Sequence, residues 1–303
     1  MSVPAAYLGI VLIWSTTPLA IQWSTQGAGF AFAVFARMAI GLTLAAVLVV
    51  AWRIGLPLHA RARRAYLLGG ASLFGAMALT YWSARYVHSG LVSVLFGLSP
   101  LMASLMAAVW LGERSLTPLR LFGTLLGAAG LGVIFLHGDS LGGEHALAGL
   151  TALLAAVAIY SAGLVGLKRI GDDSPPLATT VGTLSTSLPF FGLVWWLDGG
   201  AMPADLPLRS ASAIAYLGIF GSVLGFALYY YVIKHMEASR VALITLITPV
   251  IALLLGHALN DEVIGWRVWV GTGLILAGLA LYQFSSLRGL LSRRVTLAGE
   301  KVH

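Results

Sequence analysis

The sequence predicts an all-α integral membrane protein of ten transmembrane helices, arranged as two inverted five-helix repeats. Three observations predict it. Of 303 residues, 59% are hydrophobic and only 10% charged, against about 25% charged in soluble domains. With a mean hydropathy of +0.91, the chain lacks the polar residues to cover a soluble globule. Second, ten apolar runs approach the roughly 20 residues that about 30 Å of hydrocarbon demands. Third, "LSPLMASLMAAVWLGE" (98–113) and "ITPVIALLLGHALNDE" (247–262) place Pro100 and Pro249 149 positions apart, each 13 residues before a glutamate.

The runs follow in order. Span 1 (5–22) starts without the Lys or Arg of a secretory signal, so it is expected to be retained; it carries Trp14, Ser15, Thr16 and Thr17. Span 2 (30–50) holds Arg37, the only charge well inside a run. Span 3 (66–86) ends in "TYWSARY", and span 4 (91–110) contains Pro100. Span 5 (119–136) carries Gly123, Gly127 and Gly130, a spacing that lets helices approach closely. Span 6 (148–166) contains "IYSA" with Tyr160, and span 7 (178–197) ends at the interfacial pair Trp195–Trp196. Span 8 (213–233) carries Gly221 and Gly225, again packing signals, and leads into "YYYVIKH". Span 9 (241–259) holds Pro249 and His257; span 10 (267–286) precedes a tail at 287–303.

The basic residues set the orientation. Of eighteen Lys and Arg, fourteen lie in the even-numbered loops and the tail, whereas Arg85, Arg209 and Arg267 lie on the other side. Both termini are therefore expected in the cytoplasm. The charge of +7 follows the membrane-orientation pattern and is not a nucleic-acid face. No cysteine is present, which rules out disulfides and thiolate metal sites.

An offset of 149 also aligns Tyr81 with Tyr230, Arg85 with Lys234 and Glu113 with Glu262. With one residue dropped, an offset of 148, Gly123 meets Gly271 and Gly130 meets Gly278; near an offset of 146, "IWST" (13–16) meets "IYSA" (159–162). Residues 1–140 and 145–286 thus read as two five-helix units. Five is odd, so the second enters the membrane from the opposite side. Inverted repeats of this kind mark secondary transporters, with the substrate near midplane between them.

The doubled unit resembles the EamA-type drug/metabolite transporters. The resemblance rests on Trp14 and Ser15, Arg37, Pro100 with Gly112 and Glu113, and Pro249 with Glu262. Asp261 replaces the glycine in the second unit, and no arginine there matches Arg37. The resemblance implies a bacterial inner-membrane exporter of amino acids and related metabolites, aromatic ones among them. A multidrug or lipid-related transporter or channel of the same fold is the alternative.

Candidate substrate-binding residues are Trp14, Thr17, Arg37, Met77, Tyr81, Ser99, Tyr160, Phe226, Tyr230 and Thr248, with Pro100 and Pro249 kinking the helices. The prolines are expected to free the carbonyls of Phe96 and Thr245 for a cavity lining. Arg37 fits either a substrate carboxylate or backbone carbonyls at helix ends. Glu113 and Glu262 are expected to cap the helix that follows each. An intramembrane enzyme is disfavoured, because all eleven Asp and Glu fall in loops or at helix ends and no HExxH motif or Walker A motif occurs. No cofactor and no metal are expected; the partners are a small organic solute and the lipid bilayer, with the protein a monomer or weak dimer. With no Asp or Glu at depth, transport without obligatory proton coupling is the expectation.

Overall fold

Hydrocarbon offers no water to a backbone N–H or C=O, so apolar runs of this length close their hydrogen bonds internally as helices. A computed structural model describes residues 2–112, 117–135, 145–236 and 238–299, and every regular element among them is helical. In chain order they are α1 (Val3–Thr25), α2 (Phe30–Ala51), α3 (Ala60–Ser83), α4 (Ser89–Phe96), α5 (Ser99–Trp110), α6 (Pro118–Phe135), α7 (Ala146–Ile170), α8 (Pro176–Leu197), α9 (Leu208–Tyr216), a π-helical segment (Leu217–Leu224), α10 (Gly225–His235), α11 (Ala238–Asn260) and α12 (Trp266–Gly299). Eight stretches among the described residues are long and apolar enough to cross a membrane, with Ser89–Trp110 and Leu208–Tyr229 each counting as one. α3 and α12 stand outside that set; α3 begins among Arg61, Arg63 and Arg64 and is rich in Gly, Ser and Thr. Leu12, Val50 and Val109 are 62%, 77% and 74% exposed, as a lipid-facing surface requires.

Three helices depart from the expected runs. The fourth tightens at a turn while its backbone stays right-handed helical through Gly97 and Leu98: α4 ends at Phe96, the Leu98 N–H donates to the Leu95 carbonyl at 2.9 Å, and α5 starts with Pro100 in its first turn. Proline suits a helix start, where its missing N–H is not needed. The Phe96 carbonyl does not line a cavity as a free acceptor either, because the Ser99 hydroxyl donates to it at 2.7 Å. Pro249, its counterpart, stays inside the unbroken α11. The eighth run contains the π segment, which the sequence pattern does not signal. α12 runs on to Gly299, so the first part of the expected tail continues the helix.

α6 packs along α12, α3 lies against α7 and α8, α2 against α8 and the π segment, and α1 against α9, α10 and α11. Small residues permit the closest contacts. A Cβ added at Gly123 would stand 2.6 Å from the Gly278 carbonyl oxygen, and one at Gly271 2.7 Å from that of Gly130. The two backbones therefore touch at two points. Between α3 and α8, the Thr186 hydroxyl donates to the Tyr66 carbonyl at 2.8 Å. Leu91, Leu95, Leu150, Leu153 and Leu253 form the largest buried apolar cluster, where α4, α7 and α11 meet.

Candidate functional site

Arg37 sits seven residues into α2, about 10 Å from its start at 1.5 Å per residue, and is only 6% exposed. Placing arginine at such depth costs about 2.5–3.5 kcal/mol on insertion scales, so its surroundings decide whether that cost is offset. Its Nε donates to the Ser222 hydroxyl and its Nη1 to the Tyr81 hydroxyl, both at 3.3 Å. The Tyr81 ring, fully buried on α3, lies 5.9 Å from the guanidinium. No carboxylate pairs with Arg37 among the described residues, where the one ion pair is His59 with Asp172 at 3.7 Å. The arginine thus bonds neutral hydroxyls across three helices. It does not reach backbone carbonyls at helix ends among the described contacts.

The partner hydroxyl belongs to the π segment. There the Ser222 hydroxyl donates five residues back, to the Leu217 carbonyl at 3.1 Å, and the Gly225 N–H donates to the Phe220 carbonyl. Such widened turns recur at functional sites. Two glycines of this region face the cluster. A Cβ at Gly221 would lie 3.4 Å from Arg37 Nη2 and 3.9 Å from the Thr17 hydroxyl; one at Gly225 would lie 3.4 Å from Trp14 Nε1. Thr17 donates to the Ile13 carbonyl at 2.6 Å, which leaves its oxygen as an acceptor. The Trp14 ring rests against Tyr229 at 4.9 Å, and the Thr16 and Tyr216 hydroxyls bond at 2.6 Å.

Of the expected site residues, Trp14, Thr17, Arg37 and Tyr81 come together here, and Met77 packs with Tyr81 in one apolar cluster. Ser99 and Tyr160 belong to a second group at the α4–α5 turn: the Ser161 hydroxyl donates to the Ser99 carbonyl at 3.2 Å, and Tyr160 meets Phe96 at 5.7 Å. Thr248 is buried beside Pro249 in α11. The side chains of Phe226 and Tyr230 lie outside the described residues, as does Glu113. Ser222, Gly221 and Gly225 are the residues that sequence reasoning treated as packing or passed over. Their signal was the small-residue spacing, which by itself reads as helix contact.

The two ends of the bundle differ. At the end opposite Arg53, Arg61 and Lys168, Asn260 accepts from Trp23 Nε1 at 3.1 Å and donates to Gln22 at 2.9 Å and to Glu262 at 3.1 Å. Arg209 donates to the Leu259 carbonyl at 3.2 Å and lies 4.0 Å above the Trp23 ring. Glu262, 4% exposed, does not cap the helix after it: Oε1 accepts from the Ser89 N–H at the start of α4 at 3.0 Å, where a carboxylate suits the helix dipole. Its Oε2 has no protein partner. These contacts tie α1, α4, α9 and α11 together at this end. From Pro100 towards the other end runs a cavity of about 330 Å³, lined by Ser104, Arg120, Leu164, Lys168 and Tyr282. No group of three His, Cys, Asp or Glu suited to a metal occurs among the described residues.

The EamA-like transporter family model matches residues 3–136 and 147–284. The chain belongs to that family. It is a multi-pass membrane protein, similar to an uncharacterized transporter of Archaeoglobus fulgidus, with 27% identity over 89% of this chain and 94% of that one. It is 29% identical to the "Probable amino-acid metabolite efflux pump" of Escherichia coli over 70% and 73% of the two chains. With the "Probable terminal-alkyne amino-acid exporter" of Streptantibioticus cattleyicolor it shares 27% over 91% and 92%. A solved crystal structure at 22% identity shares the fold, with a TM-score of 0.63 over 93% of this chain and 97% of its own.

Proposed function

We propose that the protein is a secondary transporter that exports small organic metabolites, foremost amino acids and related compounds including aromatic ones. It works by alternating access between two inverted five-helix units, residues 1–140 and 145–286, across a bacterial inner membrane with both termini in the cytoplasm. The observation that carries this reading is the cluster of half-buried Trp14 and Thr17 with buried Arg37 and Tyr81 against the π segment. It joins the first three helices of one unit to the third of the other, where a transporter of this kind holds its solute.

Further observations support it. Gly123 meets Gly278 and Gly130 meets Gly271; exchanging each glycine for its sequence-aligned counterpart turns one contact into the other, as a two-fold axis in the membrane plane requires. α3 packs on α7 as α1 packs on α9 and α10, which is the same relation. One end is closed while a cavity extends towards the basic end, an arrangement suited to loading from the cytoplasm. Among the described residues the carboxylates with buried side chains are Glu262, engaged at the closed end, and Asp172, beside His59 after α7; export runs downhill or by exchange, without obligatory proton coupling.

The test is efflux of labelled solutes from proteoliposomes, with an amino-acid panel beside cationic drugs and a fluorescent phospholipid. Saturable efflux of one or more amino acids, absent from protein-free vesicles, is the expected result. Flux of drug or lipid alone would replace the amino-acid assignment with the alternative, and non-saturable flux of everything would indicate a channel.

A further inference from the structure

We propose that the cavity between α5, α6, α7 and α12 binds an anionic phospholipid, with its phosphate between Arg120 and Lys168 and an acyl chain running inward towards Pro100. The proposal rests on the exporter reading only for orientation, which makes the lipid one of the cytoplasmic leaflet, and it concerns what fills the cavity when no solute is being loaded.

Each of the four helices sets one feature of the cavity. Arg120 stands in the first turn of α6 and Lys168 in the last turn of α7, so two cations line one cavity at the same membrane boundary. The Arg120 guanidinium lies 5.1 Å from the centre of the Tyr282 ring of α12, a contact that steadies a planar cation. The arginine fork offers several donors to phosphate oxygens, and lysine adds a point charge. α5 forms the floor. From Ala107 back to Pro100 it runs seven residues, about 10 Å along the axis, past Ser104 and Ala103. Leu164 and Val165 of α7 make the wall. Cations at the boundary, one hydroxyl below them and apolar surface deeper still follow the order of groups along a phospholipid: phosphate, ester, chain.

Size and surroundings agree with that order. The volume of about 330 Å³ lies within the range of ligand cavities, about 300–1,000 Å³. Leu105 follows Ser104, Leu121 follows Arg120, and both are exposed, as is Leu164. The cavity therefore adjoins apolar surface of the kind that acyl chains cover. A small hydrophilic anion would use the two cations and leave the apolar floor uncovered. A choline headgroup would bring its own cation against two others. An anionic phospholipid suits both halves of the cavity, and basic pockets between membrane helices on the cytoplasmic side hold anionic headgroups for the same reason.

The experiment is thermal protection of the protein, purified in a neutral detergent, by phosphatidylglycerol and by phosphatidylcholine with the same acyl chains. A ligand of the folded state raises Tm by mass action. Phosphatidylglycerol is expected to protect at concentrations at least tenfold below phosphatidylcholine, and inorganic phosphate or glycerol phosphate at those concentrations should not protect. Arg120→Gln and Lys168→Gln should each weaken phosphatidylglycerol about fivefold, the factor equivalent to about 1 kcal/mol per basic residue near an anionic surface. Lys168 is exposed, so its variant keeps the test available if Arg120→Gln does not fold. Ala103→Leu retains both cations, fills the apolar floor and should also weaken protection at least fivefold. The double variant Arg61→Gln, Arg64→Gln removes two exposed charges from the start of α3 and should leave the preference unchanged. Equal protection by the two lipids, equal protection by free phosphate, an unchanged preference in Lys168→Gln, or the same loss in the α3 control would each overturn the proposal. Saturable amino-acid efflux by a protein without lipid preference would remove the lipid site and leave the exporter reading standing, so the two failures are distinct.

Discussion

Replacing Asn260 with alanine should open the closed end of the bundle. The side chain joins Trp23, Gln22 and Glu262 through hydrogen bonds of 3.1, 2.9 and 3.1 Å, and the first two link α1 to α11. Side-chain hydrogen bonds inside membrane proteins average about 0.6 kcal/mol each. Two of them give about 1.2 kcal/mol, a shift of about 7-fold in the equilibrium between closed and open forms at about 1.4 kcal/mol per tenfold. Because the chain contains no cysteine, Thr17→Cys supplies a single reporter beside Gly221 and Arg37. Its labelling by a membrane-impermeant maleimide added from outside measures how often that end opens. Asn260→Ala should accelerate labelling about 7-fold, with unchanged labelling of an exposed control at Gln26→Cys. An unchanged rate at position 17, with the protein intact, would refute the assignment of this network as the closure.

Other outcomes follow from the same geometry. Gly123→Ala drives a methyl against the Gly278 carbonyl and should lower the melting temperature by several degrees, whereas Gly132→Ala on the same helix, with nothing within 4 Å, should not; thermal unfolding in detergent compares them. A C-terminal reporter active only in the cytoplasm should report there, and an external tail would remove both the orientation and the even number of spans. Trp14→Ala and Tyr230→Ala should reduce efflux more than they reduce folded protein, and parallel losses in transport and in the membrane fraction would return them to a structural role.

The apolar runs and the doubled proline–glutamate spacing made the helical membrane architecture legible, because hydrocarbon leaves a long apolar run few conformations other than a helix. Element boundaries were less legible where local chemistry intervened. Pro100 and Pro249 occupy matching positions, yet the hydrogen bonding tightens into a turn at Gly97 and Leu98 before the first, while α11 continues unchanged through the second. Within the site, Arg37, Tyr81, Trp14 and Thr17 were identifiable as residue types that are costly or unusual in a span. Ser222 and the close approach of Gly221 and Gly225 to α1 and Arg37 were not, since a π turn depends on the backbone of one particular segment and leaves no periodic signature. Glu262 illustrates the same limit. Its place just after a helix suggested a local cap, but its contact is Ser89 at the start of α4, 173 residues away.

Alternating access is the central claim, and paired spin labels test it most directly. One pair, Gln26→Cys with Leu259→Cys, spans α1 and α11 at the closed end; the other, Leu121→Cys with Arg169→Cys, spans α6 and α7 at the basic end. Pulsed electron–electron distance measurements in lipid nanodiscs, with and without a saturating transported amino acid, should show the two distances changing in opposite directions. Widening of both ends together, or no change at either while efflux persists, would contradict the account.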